Sequence, residues 1–370
     1  MHVLVTGGAG FIGSHLVDAL LAAGHTVVGF DSLDPQVHRD GVWPPYLNRE
    51  ARWIRGDVRD ADAVAAALDD VEAIVHFAAF VGVGQSMYEI RRYVEGNNVG
   101  AAVVLEAAVA RRDRIRKLVV ASSMSLYGEG RYLDSRGMPI APRPRSEAQL
   151  RAHDWTVYGP DGQPATPIPT DEDKLPQPTS VYAISKRDQE ELFLAVGAAY
   201  DIPTVALRFF NVYGPRQALA NPYTGVAAIF SSRLLAGRPP VVYEDGEQTR
   251  DFVHVSDIVQ ATVLALERSG ADGHVVNVGT GRPITIRTVA QTLARVLGRP
   301  IEPEITGRYR AGDIRHCVAD ISRARRLLGY EPRVAFEDGM AQLAEWVAEQ
   351  PPDDRFDEAR RALEARRLIR

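Results

Sequence analysis

The chain has 370 residues, 45% of them hydrophobic and 25% charged, and a formal net charge of −5, a composition that suits a soluble enzyme with one large α/β unit and a smaller lobe. The weakly acidic balance offers no nucleic-acid surface, and no apolar run reaches the roughly 18 residues of a membrane span. A single cysteine, Cys317, allows neither an internal disulfide nor a thiolate cluster and reads as a buried thiol, and nine histidines scattered without ligand spacing give no metal site.

In chain order, β-branched runs at His2–Thr6, Thr26–Asp31, Arg52–Arg55, Ala73–His76, Leu118–Ser122 and Thr204–Arg208 predict strands. Amphipathic segments at Phe11–Ala23, Tyr88–Ala110 and Val181–Tyr200 alternate with them as helices. The alternation predicts a Rossmann-type, doubly wound parallel sheet with a smaller C-terminal α/β lobe, the ligand lying between the two. On this reading residues 1–211 plus 251–272 form the dinucleotide-binding domain, with Asp251–Leu266 rejoining the sheet, and 212–250 plus 273–350 form the lobe. Residues 129–179, rich in Pro, Arg, Asp and Gly, read as a surface insertion with one short helix near Ser146–Ala152, either a lid or a decoration. The tail, residues 351–370, begins at Pro351-Pro352 and continues as an Arg/Glu/Ala pattern that reads first as a solvated helix and second as a subunit contact. The opening MHVLVTGGAGFIG lacks the basic flank and cleavage site of a signal peptide, so a cytoplasmic location is expected.

The first strand runs directly into Gly7-Gly8-Ala9-Gly10-Phe11-Ile12-Gly13 and then a helix. In that context Gly7 makes the tight turn, Gly10 lets the backbone approach a pyrophosphate, and Gly13 permits close packing of helix on sheet. Asp31 closes the second strand, where a carboxylate accepts from a ribose and repels a 2′-phosphate, which favours NAD over NADP. Asp57-Val58 is placed to meet the adenine, although a helix cap explains Asp57 almost as well.

Tyr182 and Lys186, four residues apart, share one face at the start of a helix, so an ammonium can stabilise a phenolate. Ser123, just beyond the strand Leu118–Ser122, puts a hydroxyl at the carboxyl edge of the sheet, where ligands bind in such folds.

Gly7-x-x-Gly10-x-x-Gly13, Asn97-x-x-Gly100, Ser123 four residues before Tyr127-Gly128, Tyr182-x-x-x-Lys186 and Arg208-Phe209-Phe210-Asn211-Val212-Tyr213-Gly214-Pro215 together resemble the extended short-chain dehydrogenase/reductase family. Arg250-Asp251-Phe252-Val253-His254-Val255-Ser256-Asp257, Asn277-Val278-Gly279 and Gly312-Asp313 are similar to its nucleotide-sugar epimerase/dehydratase branch, so the likeness spans nearly the whole chain. The resemblance implies Tyr182 as base, Lys186 as its tuning partner and a hold on the nicotinamide ribose, and Ser123 as a hydrogen-bond partner of the sugar's 4-hydroxyl. It places Asn97, His76, Phe77, Ala78 and Ala79 along the cofactor groove, Met124 and Ser125 beside the sugar, Asn211, Arg250 and Arg310 on the diphosphate, and Asp313 on the nucleoside. It also implies a homodimer through Asn98–Arg111 and Val181–Ala199.

Family members that dehydrate across C5 and C6 carry an Asp-Glu pair directly after the hydroxyl residue, and decarboxylating members carry a Glu at the second of those positions; this chain has Met124-Ser125 there. The 3,5-epimerases use a cysteine near this segment, which Cys317 does not supply, and the 4-ketose reductases often use NADPH, which Asp31 disfavours. By resemblance, then, the reaction is epimerisation at C4 with resident NAD. Non-catalytic sensors of this fold typically lack the tyrosine or the lysine. The runs SSMSLYGEG, YGPRQALANPYTGVAAIF and AGDIRHCVADISRARRLLGY look most like the group acting on dTDP-L-rhamnose and dTDP-6-deoxy-L-talose; NVYGPRQ is also similar to the UDP-N-acetylglucosamine and UDP-glucuronate groups.

Overall fold

The computed structural model describes residues 1–219, 221, 223, 225–350 and 354–370. Side-chain alternation within its strands decides the layering. Val3 and Val5 of β1 (His2–Thr6) join Leu16, Val17 and Leu20 in one core, whereas Leu4 between them joins Val28, Phe30 and Ile74 in a second core on the opposite face. The same division holds along β5 (Lys117–Ser123), where Val119 faces the first core and Leu118 and Val120 the second. With β2 (Thr26–Asp31), β3 (Arg52–Arg55), β4 (Ala73–His76), β6 (Thr204–Phe209) and β7 (Val275–Val278), these form a seven-stranded sheet in the order β7-β6-β5-β4-β1-β2-β3, all neighbours parallel. Helix α1 (Phe11–Ala22) packs on the first face, and α2 (Ala61–Ala67), α3 (Gly100–Val109) and α4 (Val181–Ala199) cover the second. The doubly wound sheet is thus as expected, with its switch point between β1 and β4.

Three expectations about organisation change. Asp251–Leu266 does not rejoin the main sheet as a strand. Thr249–His254 pairs instead with Asn211–Tyr213, Pro283–Thr285 and His316–Cys317 in a separate small sheet, and only α5 (Val255–Glu267) returns to pack beside α1. The strand that completes the main sheet is β7, within the segment the sequence had assigned to the smaller lobe. A short apolar run identifies a buried strand without saying which sheet it enters. The helix expected over Tyr88–Ala110 is broken into Ile90–Tyr93, a π-helical stretch Val94–Val99, and α3.

The insertion is neither a detached lid nor a loose decoration. Its helix, Glu147–Arg151, is capped by Ser146, whose Oγ accepts from the Gln149 amide at 3.2 Å, and Arg131–Leu133 pairs antiparallel with Pro139–Ile140 and Thr166–Ile168. Buried Glu129 accepts from the amides of Arg315 and His316 at 2.8 and 2.7 Å, and Arg145 forms a bidentate, buried pair with Glu244 at 2.8 and 2.9 Å. These bonds fasten it to the smaller lobe.

The tail is not a solvated helix either. Pro351 and Pro352, where it was read to begin, lie outside the described residues, but Phe356–Ala365 is helical and buries Leu363, and Ile369 is also buried. Among the described residues no helix is long and apolar enough to cross a membrane, and no group of His, Cys, Asp and Glu is arranged to hold a metal ion. Cys317 is buried, and burial pushes its thiol up to about 12.

Candidate active site

A cleft of about 480 Å³ runs along the carboxyl edge of the sheet, from Gly7 and Asp31 at one end to Ser123, Tyr182 and Lys186, and on to Asn211 and Phe252 of the small sheet. Gly7 has φ +68°, and a Cβ there would stand 2.8 Å from the amide nitrogen of Ala78. A Cβ on Gly13 would come within 2.1 Å of the Gly7 carbonyl oxygen, so glycine is required for α1 to start this close to the turn. The N-cap, Gly10, has no side chain to satisfy the first amides of α1, which are left for an anion. Gly10, Phe11 and Ile12 all line the cleft.

Asp31 lies in the same cleft, its Oδ2 accepting from the Ala9 amide at 3.1 Å and its Oδ1 from the Leu33 amide at 2.9 Å, with His38 Nε2 3.6 Å away. Asp57 and Val58 line the wall beside it. Asp57 is not a helix cap: that role belongs to Asp60, which accepts from the amides of Asp62 and Ala63. Its bidentate partner is Arg59, at 2.6 Å for the closer contact, and that hydrogen bond holds the Asp57 carboxyl below its ordinary range. Phe77, Ala78 and Ala79 line the floor, the first two amides held by the Thr6 hydroxyl at 3.2 and 3.3 Å. A glycine cradle, a free helix start and a ribose-placed carboxylate in one groove fit a dinucleotide.

Asn97 and His76 do not line this groove; both are fully buried beneath it. Asn97, on the π-helical stretch, accepts from the Phe80 amide at 2.7 Å and donates to the Phe80 carbonyl and to Ser185 Oγ, so it clamps the backbone that forms the wall.

At the centre, Ser180 caps α4 by accepting from the Ala183 amide, and the Tyr182 amide donates to Ser86 Oγ at 3.0 Å, which fixes the first turn. Ser123 ends β5 and caps the short turn Met124–Tyr127; its Oγ accepts from the amide and the hydroxyl of Ser125 at 3.2 and 2.9 Å. Met124 and Ser125 therefore reach the cleft as expected. Within the chain alone, burial pushes the Tyr182 phenol up, and the facing Ser123 hydroxyl opposes the shift. Burial pushes Lys186 itself down to about 7, against the pull of Glu190, and its Nζ donates to Gln189 Oε1 at 2.5 Å.

Sequence reasoning missed this support. Gln189 Nε2 donates to the Asn97 carbonyl at 2.9 Å and lies 3.3 Å from His76 Nε2, and His76 Nδ1 is 2.9 Å from Thr6 Oγ1. Burial, with Lys186 nearby, drives His76 down to about 3, so it is a neutral link. Glu190 forms a buried bidentate pair with Arg208 at 2.6 and 2.9 Å and accepts from Ser122 Oγ at 2.6 Å, tying α4 to the ends of β5 and β6. The one available signal was position: Gln189 and Glu190 stand three and four residues after Lys186, on the same helical face.

Asn211 reaches the cleft with its Oδ1 buried and unpartnered, an acceptor awaiting a donor. Arg250, Arg310 and Asp313 are not brought to this cleft. They form a separate cluster in which Asp313 accepts from Arg250 at 3.1 Å and from Arg310 at 2.9 Å. Burial pushes Asp313 up, but the two guanidinium groups outweigh it and hold the carboxyl at about 2. Arg250 also donates to the carbonyls of Thr249, Ile314 and Arg315 at 2.7 to 3.0 Å, so its terminal nitrogens are saturated by the protein.

Residues 3–147 and 155–279 match the model of the NAD dependent epimerase/dehydratase family. The chain is 37% identical to the dTDP-L-rhamnose 4-epimerase of Burkholderia thailandensis over 351 residues, covering 94% of this chain and 95% of that one. It superposes on the UDP-glucose 4-epimerase of Thermotoga maritima, solved with UDP-glucose, with a TM-score of 0.77 at 32% identity, covering 94% and 99%. With the UDP-glucuronic acid 4-epimerase of Bacillus cereus, solved with UDP-glucuronic acid and NAD, the TM-score is 0.76 at 29% identity over the same shares. The chain belongs to the NAD dependent epimerase/dehydratase family. Within it, the protein is an isomerase, an NAD-dependent nucleotide-sugar 4-epimerase.

Proposed function

We propose that the substrate is dTDP-L-rhamnose, interconverted with dTDP-6-deoxy-L-talose, and that Tyr182, Ser123 and Lys186 are the reacting residues. The observation that carries the assignment of roles is that these three residues line one cleft at the sheet edge together with the glycine turn. NAD, when bound, supplies the acceptor and donor of a hydride at C4 of the sugar. Tyr182 takes the proton of the 4-hydroxyl and returns it, and Ser123 holds that oxygen in line. Lys186, as its ammonium, stabilises the phenolate and hydrogen-bonds the nicotinamide ribose, with Gln189 and Glu190 fixing where it points. Gly7, Gly10, Phe11, Ile12, Gly13, Asp31, Asp57, Val58, Phe77, Ala78 and Ala79 hold the dinucleotide. Asn97 supports that wall from below.

Inversion at C4 requires the sugar to present its other face while its nucleotide stays fixed. Grip belongs on the nucleotide end, through Asn211, Arg310 and Asp313 and through Arg250 as their brace, and the sugar should be loosely held. The cleft walls include Phe80, Val81, Met124, Phe209 and Phe210, and among the described residues its cationic side chains are Lys186, Arg59 and the neutral-leaning His38. Such walls suit a 6-deoxy sugar with a methyl group at C6 and offer no dedicated partner for a uronate carboxylate. The likeness to the Burkholderia thailandensis enzyme supports the same reading.

The test is incubation of the protein, without added cofactor, with dTDP-L-rhamnose, UDP-glucose, UDP-N-acetylglucosamine and UDP-glucuronate while the H4 and anomeric proton signals are followed. Turnover of dTDP-L-rhamnose to its C4 epimer, at least tenfold faster than any UDP-sugar, is expected; preference for a UDP-sugar overturns the assignment.

The protein is further inferred to be a homodimer. Val99 is 46% exposed beside α3, and Ile184 and Leu192 on α4 are 46% and 37% exposed, large apolar side chains left uncovered on two adjacent helices. Light scattering should return twice the chain mass of 40.6 kDa; a monomer at micromolar concentration contradicts it.

A further inference from the structure

The tail crosses from one lobe to the other. On the smaller lobe its last residues form a single antiparallel bridge with the segment that carries Arg310: the Tyr309 amide donates to the Arg370 carbonyl and the Arg370 amide to the Tyr309 carbonyl, both at 3.0 Å, and the Ala311 amide donates to the Leu368 carbonyl at 2.9 Å. Glu364 accepts from Arg308 at 2.5 Å, and Asp357 accepts from Arg238 at 3.0 Å. On the cofactor lobe, Leu363 lies against Gly84, where a Cβ would come within 3.1 Å of its Cδ2, and the Arg366 guanidinium stands 4.1 Å over the ring of Tyr88. Between the two lobes Leu363 and Ile369 pack on Tyr243, which is only 8% exposed.

Tyr243 in turn carries Arg310, whose guanidinium lies 5.1 Å over the ring. Arg310 spends only Nε and one terminal nitrogen on Asp313, and its side chain is 48% exposed, so it keeps donors free in a way that Arg250 does not. Asp313 fixes one edge of that guanidinium, the Tyr243 ring its face, and the tail fixes both Tyr243 and the segment at residues 309–311.

We propose that residues 354–370 are a strap that completes the nucleotide half of the substrate site, with Leu363, Glu364 and Ile369 acting as positioning residues that aim Arg310 and Asp313 at a nucleoside diphosphate. This rests on the nucleotide-end roles given above to Arg310 and Asp313. Among the described residues the strap makes no hydrogen bond or ion pair with Ser123, Tyr182 or Lys186, so its loss weakens the anchor and leaves the chemistry intact.

The experiment compares Leu363→Ala/Ile369→Ala and, separately, Glu364→Gln with the unaltered protein. Calorimetry measures affinity for dTDP and UDP, steady-state kinetics separates KM from kcat on the preferred sugar nucleotide, and absorbance of acid-released cofactor gives NAD content. For the double variant the expected result is a tenfold or greater loss of nucleoside diphosphate affinity, a matching rise in KM, and kcat and NAD content within twofold. Glu364→Gln, which removes the charge facing Arg308 and, more distantly at 4.0 Å, Arg360, should shift affinity severalfold in the same direction and decides the matter if the double variant fails to fold. Unchanged affinity and KM, or a fall in kcat at constant KM, overturns the strap. If the unaltered protein binds neither dTDP nor UDP, it is the underlying nucleotide-sugar reading that fails.

Discussion

Replacing Tyr182 by phenylalanine is expected to lower kcat by about 10²- to 10⁴-fold, the range that general acid–base groups supply, while leaving nucleotide affinity and the fold intact. The change removes one hydroxyl and nothing else. The ring keeps its edge-on contact with Tyr93, at 6.4 Å between centroids, and the backbone keeps its bond to Ser86. Because burial alone pushes this phenol up, the site must supply the opposing stabilisation at the moment of proton transfer, and only the hydroxyl oxygen receives it. Single-turnover rates together with calorimetric titration of dTDP check the split. A variant within tenfold of the parent rate would remove Tyr182 from the reaction.

Lys186→Met should produce opposite effects on activity and stability. Activity should fall at least a hundredfold, because in the proposed mechanism the Tyr182 phenolate loses the ammonium assigned to stabilise it. Stability should rise near neutrality. The folded chain holds Lys186 at about 7, below its ordinary 10.5, so between those values the unfolded chain binds a proton that the folded chain does not. The stability contributed by this group therefore increases with pH across that window and is least favourable below about pH 7. At about 1.4 kcal/mol per tenfold change in acidity, the methionine variant should gain a few kcal/mol at pH 6 to 7, and the gain should shrink as pH rises and vanish only above the ordinary 10.5. Urea unfolding of both cofactor-stripped proteins across that range reads the difference directly. A gain independent of pH would mean that the packing of methionine, and not relief of a buried charge, explains it.

The sequence carried the sheet because its strands are read one residue at a time: Val3, Leu4 and Val5 alternate between two cores, and that period is written in the residues. The cofactor end was legible for a similar reason, since the turn at Gly7 and the approach at Gly13 are local demands on the backbone. Long-range pairing was not legible. Thr249–His254 is a strand by composition, but nothing in its apolar pattern reveals that it joins Asn211–Tyr213 in place of the main sheet. Arg250 was placed on the diphosphate by resemblance, and the carboxylate that engages it, Asp313, is 63 residues away in the chain. Asn97 was read as a wall when it is the clamp behind one, and the links from Lys186 through Gln189 to His76 and Thr6 join three separate elements, α4, β4 and β1. The docking of the tail likewise depends on Tyr243 and Tyr88, which meet it only in three dimensions.

The most direct test of a phenol that borrows the 4-hydroxyl proton while C4 is oxidised and restored uses substrate labelled with deuterium on C4, followed by NMR in ordinary water. The account predicts an epimer that keeps the label on C4, with Tyr182→Phe forming neither labelled nor unlabelled product at a comparable rate. Loss of the label to solvent during inversion would contradict it, since carbon deprotonation would then have replaced oxidation at that centre.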